Sequence, residues 1–294
     1  LVTVSKMVAV TGSTGALGSR VAYQLAAAGA SQILVSRRPE RQPRVAGALH
    51  RGPAEYADTA AMQAALHGAD TLFLVSGHLS GRRLAEHSSA IDAAVQAGVR
   101  QIVYVSLMGA APDATFLHAR DHAQTEQYLA TVPIAWTVLR PCFYSSMLAG
   151  LADAEGLIRG PAADGTLSAV AHDDIARVAA TVLLDETDAH NSQTYLVTGP
   201  ESIDLTEAAR QLSVGTGRAY RYRAETVVEA YAWRRDLDAT ATQIDGWISW
   251  YQAIAHGEVA EVSDVVERLT GRRPLSVAEN TRLGLEPRKR RQPA

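Results

Sequence analysis

Three observations in this sequence predict an α/β fold, with one parallel sheet carrying helices on both faces and a smaller C-terminal α/β lobe behind it. Short apolar runs rich in Val, Ile and Leu alternate with helical patterns through the first half of the chain. The first run, residues 7–10, leads straight into a turn holding Gly12, Gly15 and Gly18, and then into a helix. A second run ends in Arg37 and Arg38, about 20 residues beyond that turn.

Strand, glycine turn and helix in that order make a dinucleotide site. Glycine lets the chain turn tightly and lets backbone N–H groups approach a pyrophosphate, whose charge then sits at the positive end of the helix. Leu17, Val21 and Leu25 recur at four-residue spacing and give that helix an apolar face for the sheet. The second strand, residues 32–36, delivers Arg37 and Arg38 where cofactor choice is made. An acidic residue there would bind the ribose 2′-hydroxyl of NAD, whereas arginine supplies donors and charge for the 2′-phosphate of NADP. The sequence therefore favours NADP(H), against the alternative that both arginines coat a solvated turn.

A short third strand is expected at 48–50, then a helix at 59–66 for which Asp58 is either the cap or an adenine-side contact. Residues 71–76 form a fourth strand ending at Ser76 and Gly77, where backbone borders a bound cofactor. Leu84, Ile91 and Val95 mark the next helix, residues 101–106 a fifth strand, 115–129 a helix and 135–139 a sixth strand. Pro141, Phe143 and Tyr144 then lie at a strand's carboxyl end. Gly156, Gly160, Pro161 and Gly165 break the chain before an amphipathic helix that starts near His172 and turns Ile175, Val178, Val182 and Leu183 inward. A strand at 194–198, a helix at 205–212, a short strand at 220–222 and helices at 227–235, 241–255 and 259–270 complete the pattern. Trp247, Trp250 and Tyr251 are core residues or the wall of a pocket.

At 294 residues the chain can bury a substantial core. We expect a nucleotide-binding domain over 1–150 and a mostly helical substrate-side lobe over 151–294, with the 172–185 helix and the 194–198 strand as candidates to pack on the main sheet. Cys142 is the single cysteine, which excludes a disulfide scaffold and reads as a buried inert thiol. No apolar run reaches about 18 residues and the start lacks a signal-peptide pattern, so the expectation is a soluble, cytoplasmic protein with no membrane contact. A net charge of −3 argues against nucleic acid as a partner. The locally basic run Arg288, Lys289, Arg290 and Arg291 reads as a solvated tail. The expected partner is a small-molecule substrate, with a homodimer left open.

Taken together, TGSTGALG at 11–18, VSRRPE at 35–40, YVSLMGA at 104–110, HARDHAQTEQYL at 118–129, WTVLRPCFYSSML at 136–148, HDDIARVAATVL at 172–183 and ERLTGRRPLSVAE at 267–279 resemble one family. It is the NmrA-like branch of the atypical short-chain dehydrogenase/reductases, nearest its bacterial NADPH-dependent quinone reductases. The resemblance runs over almost the whole chain. It implies a Rossmann-type fold, NADP(H) as cofactor, and a substrate cleft between the main sheet and the smaller lobe.

One departure matters. Short-chain dehydrogenases usually pair a tyrosine with a lysine four residues later, which lowers the phenol's pKa for proton transfer. Here Tyr104, Tyr128 and Tyr144 are each followed at that spacing by another residue type. In the related isoflavone-reductase group a lysine stands where this chain has His122. His118, His122 and Glu126 share one helical face, which leaves His122 as a proton donor or substrate-orienting residue, a structural residue, or a metal ligand. Nothing else in the sequence suggests a metal.

These residues lead to an expected oxidoreductase. Thr11, Gly12, Thr14, Gly15, Ala16 and Leu17 surround the pyrophosphate, Arg37 and Arg38 meet the 2′-phosphate, and Ser76, Gly77, Pro141 and Tyr144 lie near the nicotinamide. His122 and Tyr144 are the candidate catalytic residues. A quinone, enone or other carbonyl is the expected hydride acceptor, and a quinone suits a site without a strong acid because its reduced form is a stabilised phenolate. The alternatives are a non-catalytic NADP(H)-sensing regulator, and a specialised-pathway enzyme acting on an imine, on a ketone, or without net redox change.

Overall fold

The computed structural model describes residues 6–77 and 81–285; the basic run at 288–291 lies outside them. The chain forms β1 (Val8–Val10), α1 (Ala16–Ala27), β2 (Gln32–Val35), β3 (Ala48–Arg51), α2 (Thr59–Leu66), β4 (Thr71–Leu74), α3 (Arg83–Gln96), β5 (Gln101–Val105), α4 (Leu117–Leu129) and β6 (Ala135–Pro141). A 3-10 segment at Ser145–Leu151 precedes β7 (Leu157–Gly160), β8 (Thr166–Leu167), α5 (His172–Leu184), β9 (Gln193–Val197), β10 (Ile203–Asp204), α6 (Leu205–Thr216) and β11 (Arg221–Ala224). Then come α7 (Val227–Arg234), α8 (Ala241–Ala255), α9 (Val265–Thr270) and α10 (Val277–Leu285).

Seven strands pair in the order β3-β2-β1-β4-β5-β6-β9, all parallel. β1, β2, β4 and β5 are buried at every residue, as their continuous apolar runs require when helices cover both faces. Alternation along each strand splits the core in two. Val8, Val10, Leu34, Phe73, Val103 and Val105 face one layer with α1 and α5. Ala9, Ile33, Leu72, Leu74, Ile102 and Tyr104 face the other, with α2, α3 and α4. The chain reverses its winding between β1 and β4, and there the strand ends open a crevice for ligands.

Behind this sheet, β7 pairs in parallel with β11, and β8 antiparallel with β10. Close approach fixes this lobe: a Cβ on Gly160 would stand 2.3 Å from the Tyr251 ring, and one on Gly165 2.2 Å from the Ile254 carbonyl. Phe143 stacks on Trp250 with ring centres 4.3 Å apart. Trp250 and Tyr251 are therefore core, whereas Trp247 is 43% exposed and does not join them in a pocket wall. Residues 259–264 are not helical as expected: the Val259 carbonyl accepts from the Ser168 N–H and Ser263 binds Leu196 and Thr198, so tertiary bonds take the place of helical ones. Asp58 is a cap, its carboxylate accepting the Ala61 N–H at 2.9 Å.

The inward face of α3 is not made by its large apolar residues alone. Leu84 and Val95 are only half-buried, and the buried stripe runs Arg83, His87, Ala90, Ile91, Ala94. Two polar residues thus lead the face that meets β5 and α4.

Candidate cofactor and acceptor site

Because the strands are parallel, Thr11, Arg37, Ser76, Ser106 and Pro141 gather at one edge of the sheet. The glycine turn there is tightly specified. Gly12 has φ +59°, and a Cβ on Gly18 would lie 2.4 Å from the Gly12 carbonyl oxygen, so the helix can enter this close only without a side chain. No side chain caps α1 and its first turn carries no acid, which leaves its leading backbone N–H groups and positive dipole end for an anion. Thr14, Gly15 and Ala16 are exposed at that end.

Thr11 and Leu17 have different tasks from those expected. The Thr11 hydroxyl donates to the Phe73 carbonyl at 3.0 Å and accepts the Val75 N–H at 3.0 Å, tying β1 to β4 beneath the turn. Leu17 is buried in the core, so its side chain packs inward and not on the surface of the turn.

Arg37 and Arg38 are exposed, and neither guanidinium has an ion-pair partner among the described residues. The segment that carries them is pinned by buried Gln42, whose amide donates to the Leu34 carbonyl at 2.8 Å and the Arg51 carbonyl at 3.1 Å. Two unpaired arginines on an anchored arm suit a 2′-phosphate.

At the end of β4 the Gly77 N–H donates to His87 Nε2 at 2.8 Å. That bond begins a chain of assignable protons. Since Nε2 accepts, neutral His87 carries its proton on Nδ1, which faces Thr125 Oγ1 at 3.0 Å. Thr125 in turn donates to the Asp121 carbonyl at 2.9 Å. Tyr104 Oη lies 3.5 Å from His87 Nδ1, a donor, and 2.8 Å from His122 Nδ1, so its proton goes to His122. Neutral His122 therefore holds its own proton on Nε2, which has no hydrogen-bond partner among the described residues.

Burial first, and the positive charge of Arg83 second, push His87 down to about 3 and hold His118 and His122 below the ordinary histidine value. Burial likewise raises the Tyr104 phenol far above its ordinary value. A neutral His122 can offer a hydrogen bond from its ring N–H.

Tyr144 lies at the other side of the strand ends, its ring 4.2 Å from that of His172. Burial pushes the phenol up to about 12 and His172 down to about 4. The chain has two lysines, Lys6 and Lys289. Lys6 binds Gln101 and the Asp185 carbonyl, at the amino end of β5 and thus opposite the site. No ammonium stands beside a phenol among the described residues. Glu126 is engaged by Arg140 and Ser106 rather than turned to the histidines, and among the described residues no group of three metal-ligating side chains comes together.

Sequence reasoning missed Arg83, His87 and the pairing role of Tyr104. The four-residue spacing of Arg83 and His87 was the available signal. A hollow of about 550 Å³ between α6 and β11 lies on the lobe and holds none of these residues.

A family model described as NAD(P)H-binding matches residues 12–186. The chain belongs to this NAD(P)H-binding family. It is 34% identical over 223 residues to quinone oxidoreductase 2 of Escherichia coli, covering 74% of this chain and 77% of that protein. It is 33% identical to the (4-alkanoyl-5-oxo-2,5-dihydrofuran-3-yl)methyl phosphate reductase of Streptomyces griseus, covering 90% and 93%. Among solved structures, the NADPH complex of the Escherichia coli NADPH-dependent quinone oxidoreductase superposes with a TM-score of 0.84 at 28% identity, covering 94% of this chain and 98% of that one. The transcriptional regulator NmrA, at 16% identity and a TM-score of 0.76, shares the fold alone. Among the described residues no helix is long and apolar enough to cross a membrane.

Proposed function

We propose that this NAD(P)H-dependent oxidoreductase is a reductase that uses NADPH and acts on a quinone or another conjugated carbonyl. The observation that supports the proposal is the 2.8 Å hydrogen bond between Tyr104 and His122, a pair that burial keeps neutral. Such a pair can polarise an acceptor oxygen and cannot rapidly protonate an alkoxide. It suits an acceptor whose reduced form is a stabilised anion, which then takes its proton from water. The substrate names of the two curated relatives, a quinone and an oxo-dihydrofuran bearing an alkanoyl group, support the same class.

NADPH supplies the hydride when bound. In this proposal the open N-terminus of α1 holds the pyrophosphate and Arg37 with Arg38 holds the 2′-phosphate. Ser76, Gly77, Pro141 and Tyr144 border the nicotinamide side, and His122 Nε2–H orients the acceptor oxygen. The hydrogen bond from Gly77 to His87 keeps that strand end in place.

The test is NADPH oxidation with a panel of quinones, enones and plain ketones, with His122→Ala alongside the wild type. Quinones and enones should be reduced and plain ketones should not. A hydrogen bond to a developing anion is worth about 1.5–3 kcal/mol, so His122→Ala should lower kcat about 10–100-fold. Tight NADPH binding without turnover of any quinone or enone would overturn the proposal.

A further inference from the structure

Arg83 is the charged side chain that the preceding reaction leaves unused. Its guanidinium is 7% exposed, and Nε and Nη1 are shut off from solvent without a hydrogen bond. Its ion-pair partner, Asp121, is 3.6 Å away, beyond hydrogen-bond reach, and is itself 39% exposed. The guanidinium lies close enough to His87, His118 and His122 to hold all three down in pKa, and these neutral rings add nothing to the partial balance that Asp121 gives its charge. His118 is half-buried between Phe116, with ring centres 5.1 Å apart, and Gly246 of α8, where a Cβ would stand 2.8 Å from Nε2; its ring has no hydrogen bond among the described residues. A buried cation with unfilled N–H groups beside the unbonded His118 ring has the composition of an anion receptor.

We propose that Arg83, with His118 beside it, binds an anionic substituent of the acceptor, a carboxylate, sulfonate or phosphate group, while the acceptor's reducible oxygen meets His122. This rests on the acceptor lying over the strand ends near His122. Arg83 is one turn from His87, which holds Gly77 at that edge, and this places the charge beside the hydride site and away from the cofactor arm at Arg37 and Arg38. Acceptors with a ring and an acidic arm are thereby preferred over neutral ones of the same size.

The test is an equilibrium titration of naphthalene-2-sulfonate and of 2-naphthol into protein saturated with NADP, so that turnover is not needed. The sulfonate should bind wild type at least about tenfold more tightly than the naphthol, the effect of one charge-assisted bond. The ratio should fall to about one in Arg83→Met and keep an intermediate value in Arg83→Lys. A merely structural role for Arg83 would weaken both probes and leave the ratio unchanged. Equal binding of the two probes to wild type overturns the proposal, even if Arg83→Met does not fold, and so does a ratio that survives in Arg83→Met. Failure of the reductase assignment would show instead as absent NADPH oxidation with the probe ratio intact.

Discussion

Acidification from pH 7.5 to 5 perturbs this protein through its buried histidines. His87, His122 and His172 are 0%, 5% and 8% exposed. Burial pushes His87 down to about 3 and His172 down to about 4, from 6.5 in the unfolded chain. A depressed pKa contributes stability that is complete above the unfolded value and is lost as pH falls toward the folded one. At pH 5 the unfolded chain has gained these protons and the folded chain has not. Each of the two then costs about 1.4 kcal/mol per pH unit below 6.5, or about 2 kcal/mol at pH 5. Together they remove about 4 kcal/mol, a large part of a typical 5–15 kcal/mol, and His122 adds to the loss. Asp174, raised by burial, acts with the opposite sign and offsets part of it. Glu279, held down to about 2 chiefly by Arg273, adds its loss below this window. Urea unfolding followed by tryptophan fluorescence at pH 7.5, 6 and 5 measures the effect. A loss below about 1 kcal/mol over this range would refute the assignment of these histidines as buried and neutral.

Other outcomes follow from the same geometry. Arg37→Ala combined with Arg38→Ala should raise the Kd for NADPH about 30-fold or more and leave NADH binding nearly unchanged, since two exposed charge-assisted contacts are removed; fluorescence titration of both cofactors decides it. The kcat for a quinone should be flat from pH 6.5 to 8.5, and an ionisation near 6.5 that disappears in His122→Ala would contradict the neutral tautomer. Gly18→Ala should destabilise the fold by about 1–3 kcal/mol and weaken NADPH at least about tenfold, because the added Cβ meets only backbone of Gly12 and Thr11.

The fold was legible because its signals are local. An apolar run long enough for a strand, a glycine that alone can take φ +59° and an amphipathic helix are properties of neighbouring residues, and they located the glycine turn and the β2 arginines. The 259–264 stretch misled because its helical pattern competes with hydrogen bonds to Ser168, Leu196 and Thr198, which lie far away in the chain. The inward face of α3 was not legible for a related reason. Leu84 and Val95 outrank Arg83 and His87 on any scale of apolarity, yet α4 offers Thr125 and Asp121, which make burial of His87 and Arg83 tolerable.

Sequence alone thus determined the family, the parallel sheet and the cofactor end, where backbone conformation and bare charge are written residue by residue. Tertiary structure decided the polar cluster around His122. The tautomer of His122, its neutrality, the commitment of Glu126 to Arg140 and the burial of Arg83 against Asp121 depend on which side chains from α3, α4, β5 and β6 meet. Desolvation, which sets their charge, arises only when those elements close over them.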